Sequence, residues 1–411
     1  MRHSSTYFVG ILIGGVLGFV LPAADADFSL LFGRVSDLVV GLARLTVVPM
    51  VFFGAIVAAD ELKSAGRFWN TVGVACATIA ATGVFAAVVG ALAVQLFAPS
   101  RIPPFSTDAV QQSGAGLLDS LVGAVEVGPF GLLGHPTAAF AAAVLLGIVV
   151  GLFLDFDREL TSPVEVVADS SHRLINRIAA FIMRFGAAFV VLPTAQVVLA
   201  LRSSAELPLY RQFLLVSVVA VAFVGFGVYP LVLRFARSAE AASSWITGTI
   251  GPAIVGLATG DRLLAFQAIV ADWPRNTAQP RRFSAVVAPI VAIFARPGAI
   301  LLAVGGFLMI VRSFTALEIG FVLTVQLALA AIGVSLIVFI APRDAVSTLL
   351  LILAAGYGRG MDDSYRILLP IIVVLGRLAA VLDTLTVTFV TQFVAERSRQ
   401  EGARVQTTRS P

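Results

Sequence analysis

The chain has 411 residues, 58% of them hydrophobic and 13% charged, with a mean hydropathy of +0.97, which excludes an ordinary soluble domain and indicates a polytopic membrane protein. One cysteine and three histidines exclude a disulfide framework, a thiolate metal site and a histidine-rich metal site. The net charge of +4 comes mainly from arginines in short links between apolar runs and at the C-terminal tail, a positive-inside pattern rather than a nucleic-acid patch.

A basic start precedes the first apolar run, residues 7–21, and the many runs that follow favour a retained helix with a cytoplasmic start over a cleaved signal. Gly10, Gly14, Gly15 and Gly18 give this helix a small-residue face suited to close packing. The second span, 38–59, carries Arg44 one turn before Pro49, and a polar turn with Asp60, Glu61, Lys63 and Arg67 follows it. A third span covers 68–97, residues 110–136 read as an irregular outer loop, and PTAAFAAAVLLGIVVGLFL completes a fourth crossing. Residues 155–177 are charged and amphipathic, and His135 and His172 are read as ordinary loop residues. The fifth span, 178–201, contains Pro193, and the sixth, 213–235, contains Pro230.

After residue 243 the pattern changes. In 245–271 two apolar arms flank the tip Gly260-Asp261-Arg262, which predicts a re-entrant hairpin, because broken backbone at membrane depth survives only where protein or a watery cavity satisfies it. The seventh span, 284–312, is interrupted by Ala295-Arg296-Pro297-Gly298. Proline removes a backbone donor, and an arginine near mid-membrane costs at least about 2.5 kcal/mol. Residues 319–353 repeat the hairpin pattern around Ile340-Ala341-Pro342-Arg343-Asp344, and the last span, 367–394, carries Arg377 and Asp383 before the charged tail 396–411. Two interrupted hairpins, each followed by a span bearing charges, resemble the inverted repeats of secondary transporters.

Arg296 is the leading candidate, either as a fixed cation that meets an anionic substrate or as one half of an internal ion pair with Asp383. Asp261 and Arg262 at the first tip, and Pro342, Arg343 and Asp344 at the second, are candidates for an anion site or gate, with polar surface turns as the bland alternative. Asp383 is the best acidic candidate, for a substrate amine or for a proton. Thr386 offers a neutral hydroxyl, which in a helix often bonds back to its own backbone. Arg377 reads as structural. The chain has no GxSxG elbow, HExxH pair, P-loop or dinucleotide fingerprint, so no enzyme, metal or cofactor is expected.

Three strings carry a family resemblance: ARLTVVPMVFFGAIVAADEL, GPFGLL followed by HPTAAFAAAVLLGIVVGL, and FVVLPTAQVVLAL. They are similar to the second, fourth and fifth spans of the dicarboxylate/amino acid:cation symporters, which include the glutamate transporters. The resemblance implies an all-α membrane fold of eight spans and two re-entrant hairpins. It also implies a homotrimer with a scaffold region at about 1–67 and 98–209, a moving transport region at about 68–97 and 210–395, and a cytoplasmic tail at 396–411. The family's serine-rich first tip is replaced here by Asp261-Arg262-Leu263-Leu264, and its NMDGT by Ala295-Arg296-Pro297-Gly298-Ala299. In the eighth span Asp383 matches the family aspartate, while Thr386, Val390 and Val394 stand at its arginine, asparagine and second aspartate positions.

Hard cations need several oxygen ligands, so proton coupling or exchange is expected rather than sodium symport. The expectation is a multi-pass inner-membrane transporter of a small anionic or zwitterionic carboxylate or amino acid, with both termini cytoplasmic, the bilayer as its surroundings and no nucleic-acid partner. The alternative is a transporter-derived sensor, structural protein or passive anion channel.

Overall fold

The computed structural model describes residues 2–21, 26–97, 99–102, 136–203, 206–276, 281–314, 320–336, 345–357, 361 and 363–407, and among these residues it is helical, without strands. The outer loop expected at 110–136, apart from Pro136, and the second tip, with Pro342, Arg343 and Asp344, lie outside the described residues. Seven stretches are long and apolar enough to cross a membrane, and the helices near residues 5–20 and 139–153 are shorter apolar ones.

Helix α1 (Arg2–Val20) packs along α7 (Gly186–Ser203). Its buried stripe is Tyr7, Gly10, Gly14 and Gly18, whereas Phe8, Leu12, Val16 and Phe19 on the other faces are exposed and apolar, as a lipid-facing helix requires. A Cβ at Gly10 would lie 2.7 Å from the Ala187 carbonyl oxygen, so the small-residue face expected from sequence is what lets the two backbones meet.

The second span is not one helix. It divides into α2 (Ala26–Arg44) and α3 (Val47–Ser64), with a turn at Leu45–Thr46. Pro49 has no N–H to offer the Leu45 carbonyl, and it is tolerated only because it falls in the first turn of α3. Helix α4 (Phe68–Phe97) matches its expected bounds. Helix α5 (Pro136–Phe153) packs on α3, as does α6 (Arg158–Ile182), which continues through a 3-10 turn at Met183–Phe185 into α7. His172 therefore lies on a helix, not in a loop: it sits within 3.1 Å of the Met50 carbonyl through Nδ1 and 2.7 Å of Asn176 through Nε2. The sixth span runs as α8 (Arg211–Ala222), a π turn at Phe223–Val228, and α9 (Tyr229–Ala236), the π turn absorbing the donor that Pro230 lacks.

The first hairpin is α10 (Ala239–Thr259) and α11 (Arg262–Asn276), and the seventh span is α12 (Arg281–Phe294) and α13 (Pro297–Phe314). Helices α14 (Phe321–Ser335) and α15 (Ala345–Tyr357) flank the second expected tip. A 3-10 stretch at Ser364–Ile371 leads into α16, Ile372–Thr407, so the last helix continues past the expected end at 394 into the charged tail. Helix α13 is buried at every position from Pro297 to Val311 and lies against α4, α15 and α16, so it forms the centre of the bundle. A helix apolar all round belongs in such a place.

Candidate functional site

The site is built on the break between α12 and α13. The last α12 bond runs from Ala295 N–H to the Val291 carbonyl (2.8 Å), and the first of α13 from Ile300 N–H to the Arg296 carbonyl (2.9 Å). Pro297 stands at the first helical position, where its missing N–H costs nothing. Arg296 is then the N-cap, a position that normally supplies an accepting side-chain oxygen. A guanidinium has no acceptor.

The acceptor comes from another helix. Asp383 of α16, 3% exposed, accepts from Gly298 N–H at 2.8 Å and from Ala299 N–H. These are the two donors an N-cap side chain would have satisfied, and the carboxylate also faces the positive end of the α13 dipole. The approach requires Gly298: a Cβ there would collide with the Ala379 carbonyl oxygen and lie 2.9 Å from the Ala379 Cα.

The other side of the break is closed from the first hairpin. Arg262, the first residue of α11, donates through a guanidinium nitrogen to the Ala292 carbonyl at 3.1 Å, placing a cation on the C-terminal end of α12. Arg262 and Arg296 both attract the Asp383 carboxylate through space, and they repel each other. Arg296 is 4% exposed, and its buried Nε has no hydrogen-bond partner. The structure thus gathers two arginines and one carboxylate around a helix break.

Asp261 occupies a different niche beside them. The hairpin turns at Gly260, whose φ of 67° is the left-handed conformation that glycine adopts most readily. Asp261 then caps α11, accepting from Leu263 N–H at 2.8 Å and Leu264 N–H at 3.2 Å. Its other oxygen pairs with Arg44 at the end of α2. Close by, Gln267 donates to the Thr46 hydroxyl at 2.8 Å. Arg377 bridges Leu257 O of α10 (3.2 Å) and Pro193 O of α7 (3.1 Å).

Thr386 bonds back to Leu382 O at 2.7 Å and meets the Tyr229 hydroxyl at 2.8 Å. Trp245 Nε1 donates to the Thr388 hydroxyl at 3.1 Å. These two aromatic partners and the Arg44–Asp261 pair are absent from the sequence-based expectations. An arginine directly before an N1 proline is a usable signal in the sequence, since it announces that the cap must arrive from elsewhere.

Two cavities frame the cluster. A void of about 10 Å3, the size of one water, lies beside Arg262, Ala292, Ala295 and Asp383. A cavity of about 730 Å3 opens between α3 and α6 on one side and α11, α12 and α16 on the other. Phe266 and Ile269 of α11 line both, so they form the wall between them. Phe266 packs edge-on against Phe140 of α5, with ring centroids 5.2 Å apart.

Residues 5–397 match the model of the sodium:dicarboxylate symporter family. The chain belongs to that family. No curated protein matches it. As a member of a transporter family with this many apolar helices, it is a multi-pass membrane protein. The family's name gives sodium a role, while the charged side chains gathered at the α12/α13 break in this symporter-family chain include two cations. Among the described residues no group of three His, Cys, Asp or Glu side chains stands ready to hold a metal ion.

Proposed function

We propose that the protein is a secondary transporter of a small carboxylate or amino acid in an inner membrane, working by alternating access without sodium. The observation that carries this reading is Arg296, a buried arginine at the α13 N-cap, with Asp383 supplying the cap. A sodium ion beside Asp383 would meet repulsion from both Arg262 and Arg296 and would compete with two backbone N–H groups for the carboxylate. Those same cations suit a carboxylate substrate. Coupling then falls to a proton or to exchange.

In this reading, residues 1–67 and 98–209 form a scaffold and 68–97 with 210–395 a moving region, the assembly is a trimer, and both termini are cytoplasmic. The 730 Å3 cavity lies between those two regions and supports an access path that ends at Phe266 and Ile269. The water-sized void at Asp383 supports a closed state, which the first hairpin must leave for substrate to reach the cluster.

The test is uptake into vesicles carrying the purified protein, with a labelled panel of dicarboxylates, monocarboxylates and amino acids, and sodium and proton gradients imposed in turn. Accumulation of a carboxylate or amino acid that does not need sodium is expected. Stimulation by sodium alone refutes the coupling. A second reading, a sensor or passive anion channel, is favoured by the self-capped core, and it gains if no gradient drives accumulation.

A further inference from the structure

We propose that the groove between α4, α9 and α16 binds one phospholipid with an anionic headgroup, at a site separate from the charge cluster. The groove encloses about 740 Å3, within the roughly 300–1,000 Å3 span of ligand sites. Along α4 its lining includes Trp69, Gly73, Ala77, Ala81 and Phe85. Spaced four apart, these residues form one stripe roughly 24 Å long at 1.5 Å per residue. Half the hydrocarbon core of a bilayer is roughly 15 Å, so the slot accommodates one leaflet's acyl chain with its headgroup.

The floor offers apolar contact. Phe389 and Phe393 of α16 lie along it, and the hydroxyls of Thr78 and Thr82 are turned back onto Val74 O (2.7 Å) and Ile79 O (2.8 Å) of their own helix. Among the described lining residues the charged side chain stands at one end. There the lining includes Trp69, 77% exposed, together with Asn70 and Arg397, while Arg237 lies 4.1 Å above the ring of Phe393. An indole and the Arg397 guanidinium at the mouth of an apolar slot match a headgroup phosphate with its chain pointing inward, while Arg237 is held over the Phe393 ring. The chain would rest on Phe389, which stacks at 4.4 Å on Tyr229, whose hydroxyl meets Thr386.

The test uses the full-length protein in phosphatidylcholine vesicles, with brominated phosphatidylglycerol or brominated phosphatidylcholine as quencher of tryptophan fluorescence. Trp245 and Trp273 are fully buried, so Trp69 is the reporter. Phosphatidylglycerol should quench at about five-fold lower mole fraction, the effect of about one basic residue at a membrane surface. Arg397→Gln should bring the two lipids together. Gly73→Phe places a ring where a Cβ meets nothing within 4 Å, so it should fill the slot without disturbing the fold and remove the saturable quenching. Equal quenching by both lipids in the unaltered protein, or a preference untouched by both substitutions, overturns the proposal. So does cross-linking of two Trp69 faces, which would assign the groove to a second copy of the chain.

Discussion

Replacing Asp383 by Asn keeps an oxygen of the right size facing Gly298 and Ala299 but removes its charge. Two interactions then change. Hydrogen bonds to a charged acceptor contribute about 1.5–3 kcal/mol and neutral ones about 1, so the α13 cap weakens without disappearing. The greater effect is the loss of the carboxylate that offsets the mutual repulsion of Arg262 and Arg296, and stripping one partner from a buried ionic cluster costs about 3–5 kcal/mol. The expected loss for Asp383→Asn is therefore about 3–5 kcal/mol, and Asp383→Ala should lose about a further 1 kcal/mol with the cap.

A second change depends on the first. In the Asp383→Asn background Arg296 is an uncompensated buried cation beside Arg262, so Arg296→Met should restore more stability there than it adds to the unaltered protein, where Asp383 offsets the charge. Thermal inactivation of detergent-purified single and double variants, followed by tryptophan fluorescence, measures the cycle. If Asp383→Asn lies within about 0.5 kcal/mol of the unaltered protein, as an ordinary surface change would, or if the two substitutions simply add, the charge cluster is not what closes the helix break.

Gly298→Ala should cost several kcal/mol, since its methyl group would drive α13 off the Ala379 carbonyl, and thermal stability reads it directly. Asp261→Asn retains the α11 cap but cuts the link to Arg44, which is one-third exposed, so stability should fall by about 1 kcal/mol or less. Matching effects of Arg44→Met and Asp261→Asn, without additivity in the double variant, would establish the link in solution. Phe266→Ala removes the wall between the 730 Å3 cavity and the cluster, at about 3–5 kcal/mol of packing. A thiol introduced at Val387, which lines the water-sized void, in a Cys76→Ser background should react with a water-soluble reagent faster once Phe266 is Ala, and unchanged reactivity would show that the route to the cluster lies elsewhere.

The helix break at Arg296, the hairpin tip at Gly260 and the small-residue face of α1 are legible in the chain, because proline, glycine and charge within an apolar run each carry a local physical meaning. The pairing of distant residues is not. That Arg296 and Asp383 share a site follows from the family's order of spans, but Asp383 acting as a cap for another helix depends on which backbone N–H groups face it. Arg262 is legible as a charge at a tip and illegible as the partner of the Ala292 carbonyl, which is set by how α11 folds back along α12. Pro49 marks the second span without fixing its split at Leu45–Thr46, since a proline in a long apolar run also suits an unbroken, kinked helix.

If Arg262, Arg296 and Asp383 supply from the chain itself the charges that a sodium site would draw from solution, sodium should stabilise the folded protein no more than an inert cation does. Thermal stability measured while choline is exchanged for sodium at constant ionic strength tests this without knowledge of the substrate. A bound ion at a hundred times its Kd adds about 2.7 kcal/mol. A flat curve is expected, and a saturable rise in stability with sodium, lost in Asp383→Asn, would show instead that the ion still binds at the cluster.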